Sequence, residues 1–319
     1  MKKKLVIRTN YKRAREVSLK VLAMMAEGVF PFSRDAQGYY ISGSRESLFP
    51  DAIIPEGVKA GSKEHAQLLF YGCGLDSMKL ADQVYRGVRG VASEVALEDL
   101  HKLTELEIAG LLSKHFLPST LEKFQQRKPI MGDPVRTLYE NSRRLHEQYQ
   151  DDPRGLVAAT IPKTREKIEE FFQYGEGKSA LLLKNFNRFG ICDFPPPELP
   201  VKVDRHIKRI SIGCRVITIP GNVVMTRGRG DKLVRMLEQV YQRVTREYQL
   251  SGADLDDAFW AIGRYLCKFN DDVRCKASCK VNCATRPHSD NGAIYFDFHS
   301  DKRTGQDNFF RAGLMTLPE

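Results

Sequence analysis

The chain has no stretch of about eighteen apolar residues, so no membrane-spanning helix is expected among its 319 residues. Its basic start, MKKKLVIRTNYKRAREVSLKVLAMMAEG, lacks the unbroken apolar core of a secretory signal, because Lys12, Arg13, Arg15 and Glu16 interrupt it. The expected setting is therefore the reducing cytoplasm (at the nucleoid in a prokaryote), where cysteines serve as ligands or buried residues more often than as disulfides. Repeats with a period of roughly 20–50 residues are missing, as are low-complexity tracts, which excludes solenoids and linker-like chains. Acidic residues are the scarcer charge: 40 Asp and Glu face 50 Lys and Arg, a formal net charge of +10. A basic surplus favours a polyanionic partner, since each neutralised phosphate releases counterions. With 42% hydrophobic residues the chain can nevertheless bury a proper core.

From Ser62 onward the spacing of apolar residues is helical almost throughout. Ser62 caps a helix over Ala66–Phe70 that ends at the Gly72–Gly74 break, and a second helix fits Ser77 to Arg86. Thr104 and Glu107 form a capping box, and Asp133 followed by Pro134 starts another helix. Further helices fit residues 164–173 and 178–189, KLVRMLEQVYQRVTREY and LDDAFWAIGRYLC. The reading is a mostly α protein with a small strand element at the N-terminus. Residues 1–60 are an N-terminal extension, 61–283 the body and 284–319 a C-terminal extension, in which Tyr295, Phe296 and Phe298 alternate with polar residues as in a short docked strand.

Three segments carry chemistry. In TREKIEEFFQYGEGKSALLLKNFNRFG, two helices flank a turn containing Gly175 and Gly177. Glycines there let a backbone approach a phosphate, and the first N–H groups of the second helix point at it. On spacing alone, an ordinary helix–helix turn with Lys178 as a solvated surface lysine explains the segment equally well. In ELPVKVDRHIKRISI, Asp204 stands at a helix start, where a plain N-cap is the commonest role for an Asp. Finally, Cys267, Cys275, Cys279 and Cys283 crowd one short stretch, while Cys73, Cys192 and Cys214 are scattered. Four thiolates in a short loop suit a [4Fe–4S] cluster or tetrahedral zinc.

Taken together, GKSALLLKN, PVKVDRHI and the Gly263-Arg264-Tyr265 entry to Cys267 resemble the helix-hairpin-helix base-excision glycosylases, in particular the endonuclease III-like members with a C-terminal iron–sulfur loop. The resemblance implies a two-lobed helical glycosylase, acting as a monomer on duplex DNA that carries a damaged or modified base. It places Lys178 at the nucleophile position of the bifunctional members, where the helix's positive end disfavours the charged amine. Asp204 matches the carboxylate that stabilises positive charge developing on the sugar. Gly175, Gly177, Ser179 and Lys184 fall at the hairpin that holds DNA, and Lys276 and Lys280, with Lys268 and Arg274, fall in the cysteine loop that touches phosphates. Cys267, Cys275, Cys279 and Cys283 are the ligands of a [4Fe–4S] cluster, with zinc as the alternative, because their Cys-x7-Cys-x3-Cys-x3-Cys spacing departs from the family's Cys-x6-Cys-x2-Cys-x5-Cys. The family's base-replacing glutamine has no counterpart in LLFYGCGLDSM, where Tyr71 or Leu75 is the candidate wedge. That departure keeps two other readings open: an N-glycosylase for a free modified nucleoside, nucleotide or RNA, and a non-catalytic nucleic-acid-binding module.

Overall fold

The computed structural model describes residues 7–36, 48–76, 81–126, 133–218, 223–225 and 227–266, together with short strand segments at 293–294, 300–301, 306–307, 310–312 and 314–315. In chain order its helices are α1 (Tyr11–Ala26), α2 (Lys63–Leu75), α3 (Ala81–Glu94), α4 (Glu105–His115), α5 (Pro118–Gln126), α6 (Pro134–Tyr149), α7 (Ile161–Glu169), α8 (Glu176–Arg188), α9 (Arg205–Gly213), α10 (Arg227–Tyr248) and α11 (Gly252–Ala261). The mostly helical class expected from the apolar spacing is what the chain adopts. The described strands are two or three residues long and pair only in twos. The chain divides into two compact units, Met1–Leu48 with Pro196–Glu319, and Phe49–Pro195.

In the unit Phe49–Pro195, α2 forms the centre. Every residue from His65 to Leu75 is buried, because HAQLLFYGCGL is apolar on all sides rather than along one stripe. The helix runs through Gly72 and Gly74, where a break was expected. Gly72 makes a close approach possible: a Cβ there would stand 2.4 Å from the Tyr85 ring of α3. The second helix is described from Ala81 to Glu94, past the expected Arg86, and the expected start at Ser77 lies outside the described residues. Phe70 stacks on Tyr174, with ring centroids 5.2 Å apart, and meets Phe171 edge-on at 5.0 Å. Contacts of this kind add to the area that each ring buries.

The local start signals hold. Ser62 Oγ accepts from the His65 N–H, both halves of the Thr104–Glu107 capping box form, and Asp133 caps α6 with Pro134 in its first turn. Thr160 caps α7, which therefore starts at Ile161 with Pro162 in its first turn, ahead of the expected residue 164.

In the other unit, α1 packs against α10 and α11. The segment read as an N-terminal extension thus supplies a core helix, with Ala14, Val17, Val21 and Met24 fully buried. Arg8–Thr9 pairs antiparallel with Ile217–Thr218, which is the strand element expected near the N-terminus. Tyr241 of α10 lies in the core, its hydroxyl 2.7 Å from Ser211 Oγ of α9 and its ring 5.0 Å from Phe259 of α11. The proline-rich stretch before α9 is tied to α10, where Gln242 Nε2 and Thr245 Oγ1 both donate to the Pro197 carbonyl at 2.7 and 2.8 Å.

A candidate hairpin site and a candidate carboxylate site

The hairpin is α7, a short turn and α8. Its left-handed residue is Gln173, at φ 65°, so neither Gly175 nor Gly177 supplies the positive φ that the turn uses. What the two glycines supply is room, for nothing stands within 4 Å of a Cβ built on either. Gly175 is the N-cap of α8, and no side chain caps that helix. The Lys178 and Ser179 N–H groups turn inward to the Gly175 carbonyl at 2.9 and 3.0 Å. The N–H groups of Glu176 and Gly177 then remain at the exposed end of the helix, where backbone donors and the positive dipole end face solvent. Glu176 places a carboxylate in the same turn, a charge that opposes an incoming phosphate.

Lys178 is half-buried, and its ammonium donates to the Gly74 carbonyl near the end of α2. It is therefore held in place rather than solvated. Neither Arg165 nor the Gly74 carbonyl was singled out from the sequence. Arg165 pins the turn from α7, with Nε donating to Ser179 Oγ at 3.1 Å and Nη2 to the Glu176 carbonyl at 3.0 Å. Its place in TREK, one helical turn before Glu169, was the only signal for it.

Two residues assigned to a DNA contact face the interior. Ser179 is fully buried, with its hydroxyl in the Arg165–Glu169 network. Lys184 is only 4% exposed and stands 3.8 Å from Asp51 Oδ2, as does Arg188. The polar groups of Ser179 and Lys184 both have partners inside the unit. Burial opposes ionisation of Asp51, yet the Lys184 and Arg188 charges outweigh it and hold the carboxyl below the usual carboxylate range. Asn185 is fully buried as well, with Nδ2 3.9 Å from Cys73 Sγ. Tyr71 and Leu75 are buried in α2 and do not project as a wedge.

Asp204 lies in the other unit. It caps α9, with Oδ1 accepting from the N–H groups of His206 at 2.7 Å and Ile207 at 3.0 Å. One oxygen thus holds the helix start, while Oδ2 accepts no hydrogen bond among the described residues. Val201 and Val203 are buried on either side of Lys202, which fixes the entry of the chain into the cap. His206 is buried beneath Gly263, where a Cβ would fall 2.4 Å from the His206 Cβ. The glycine of Gly263-Arg264-Tyr265 thus allows the turn Ile262–Leu266 to lie directly on α9. Cys267, Cys275, Cys279 and Cys283, with Lys268, Arg274, Lys276 and Lys280, lie outside the described residues, as do Tyr295, Phe296 and Phe298. No helix among the described residues is long and apolar enough to cross a membrane.

No protein-family model matches this chain, and no curated protein matches it. Among solved structures it is similar to the 8-oxoguanine DNA glycosylase of Thermotoga maritima, at 16% identity and a TM-score of 0.46 over 79% of this chain and 99% of that one. A likeness of that degree establishes neither family nor activity for this chain.

Proposed function

We propose that this protein is a base-excision DNA glycosylase with an associated lyase activity, using Lys178 as nucleophile and Asp204 as the carboxylate that supports it. The observation that carries the reading is Lys178 itself. It is half-buried in the first turn of the hairpin's second helix, with its ammonium on a backbone carbonyl, and is not the solvated lysine that an ordinary turn would present. The uncapped, exposed start of α8 at Gly175–Gly177 fits a phosphate held by backbone N–H groups. With Ser179 and Lys184 turned inward, the contact at this hairpin falls on backbone rather than on those side chains.

In the reaction, the Lys178 ammonium gives up a proton, the resulting amine attacks C1′ of an extruded nucleotide, and the base departs with the electron pair of its glycosidic bond and takes up a proton. Asp204 stabilises positive charge on the sugar through the oxygen that the cap leaves unused. Loss of the ring oxygen's bond to C1′ gives an imine with the lysine, and β-elimination from that imine breaks the bond to the 3′ phosphate. Cys267, Cys275, Cys279 and Cys283 would hold a [4Fe–4S] cluster, and Lys276 and Lys280 in the same stretch of sequence would meet phosphates. Brown protein absorbing near ~400 nm, with matching iron and sulfide, is expected; colourless protein with one equivalent of zinc would rule the cluster out.

The burial of Tyr71 and Leu75 favours a second reading, N-glycosylase action on a free modified nucleotide, which needs no wedge. The test is a panel of duplexes carrying single modified bases run beside the corresponding mononucleotides. Base release from duplex that is lost in Lys178→Ala supports the first reading. Release from mononucleotides alone supports the second.

A further inference from the structure

A second cluster of ligand-type side chains lies within Phe49–Pro195, away from the hairpin turn. The ring of His101, at the end of the turn Leu97–Lys102, stacks on that of His146 in the last turn of α6, with centroids 3.6 Å apart and planes 14° from parallel. Asp151 reaches both rings. Its Oδ2 is 2.9 Å from His146 Nδ1, and its Oδ1 is 3.4 Å from His101 Nδ1. One ligand atom from each of the three lies within 4.8 Å of the other two. The geometry points to a divalent-cation site made by His101, His146 and Asp151, of the zinc class that imidazole nitrogen with one carboxylate oxygen prefers.

The chemistry of the donors selects the ion. Two imidazoles and a carboxylate suit zinc, cobalt or nickel, whereas magnesium and calcium prefer oxygen alone. Ligand atoms around tetrahedral zinc stand roughly 3.3 Å apart, given metal–ligand bonds of about 2.0–2.2 Å. Closure from the present spacing needs movements of at most about 1.5 Å, and side-chain rotation that splays the two stacked rings supplies them. Zinc at His146 Nδ1 would take the place of the hydrogen bond to Asp151, with the proton of the neutral imidazole carried on Nε2.

The backbone that carries the Asp151 carboxylate is held at both its polar groups. Asp151 N–H donates to the Leu145 carbonyl at 3.2 Å, and Gln67 Nε2 donates to the Asp151 carbonyl at 2.7 Å. His101 Nδ1 donates to the Glu98 carbonyl at 2.7 Å, so an ion held at that nitrogen would replace this contact. The neighbouring cations are engaged, Lys63 with Glu98 at 2.6 Å and Lys102 with Asp99 at 2.5 Å, so their charge against a dication is offset. A bound ion would tie the turn Leu97–Lys102 to the end of α6. Three protein ligands leave a fourth position for water.

The test is equilibrium dialysis of the full-length protein against zinc, with whatever the clustered cysteines hold left in place. His146 is half-exposed, so His146→Ala removes a ligand with little cost to packing, and Asp151→Asn keeps the shape and the backbone contacts. The wild type is expected to retain one more equivalent of zinc than either variant, or to bind that equivalent at least about tenfold more tightly. Equal zinc in all three proteins would overturn the site. Zinc-soaked crystals of the wild type decide independently of any variant: an anomalous peak between the three side chains supports the site, and its absence contradicts it.

Discussion

Two helix starts in this protein are built in opposite ways. At α9 the carboxylate of Asp204 closes the end, taking two backbone N–H groups on one oxygen. At α8 the cap position is Gly175, no side chain closes the end, and the residues around it are exposed. The starts of α1, α2, α4, α6, α7 and α11 are closed by a side chain, as that of α9 is. A glycine at the cap forgoes roughly a few tenths of a kcal/mol relative to a good capping residue. An uncapped start beside a held lysine is what a phosphate-binding, nucleophilic turn requires, and a capped start with a spare carboxylate oxygen is what a fixed negative charge requires.

Substitutions can break each half of this contrast separately. The largest effect is expected at Lys178, where alanine should lower base release from a cognate duplex by about three orders of magnitude or more, as removal of a covalent nucleophile does. Single-turnover rates check it. Asp204→Asn should keep the cap, since Asn caps as well as Asp, yet lower the rate by about 10²- to 10³-fold. Asp204→Ala should add a stability loss of about 1 kcal/mol, read by denaturant titration. If Asn keeps both the stability and the rate while Ala lowers the stability alone, Asp204 is a cap and nothing more.

Lys184→Ala sharpens the comparison from inside α8. It removes one of the two cations beside the buried Asp51, and a loss of about 3 kcal/mol at most is expected, with no change in the salt dependence of DNA binding. The pH dependence has a definite sign. Lys184 and Arg188 hold Asp51 below its unfolded value against the effect of burial, so their stabilisation is full above the ordinary carboxylate range and lost as pH falls through the depressed value. Melting curves from neutral to acid pH should show that loss in the wild type and a smaller acid dependence in Lys184→Ala. The smallest effect is at Gly175. There the backbone is extended and open, so Gly175→Asp should stabilise the protein by a few tenths of a kcal/mol while weakening DNA binding through an added negative charge.

The sequence made legible what depends on neighbours along the chain. Ser62, Thr104, Asp133 and Asp204 all cap where their positions imply, because a cap needs only the next three residues. It also marked Lys178 and Asp204 as the pair to watch. Facing directions along α8 were harder to read. Ser179 and Lys184 sit on the same stretch as Lys178, but which of the three turns inward depends on Asp51 and α7, contacts the local pattern does not encode. The helix α1 went unread for a related reason: Ala14, Val17, Val21 and Met24 form its buried face, yet the charges between them mask the periodicity. Gly263 is the converse case, a glycine noticed for its motif whose physical role is the close packing of His206.

The central claim is that Lys178 is a nucleophile. The direct measurement is borohydride reduction of the protein mixed with duplex DNA containing an abasic site. A covalent protein–DNA adduct is expected from the wild type and from Lys184→Ala under conditions where it stays folded, and none from Lys178→Ala. An adduct that persists without Lys178, or none from folded wild-type protein, would contradict the account.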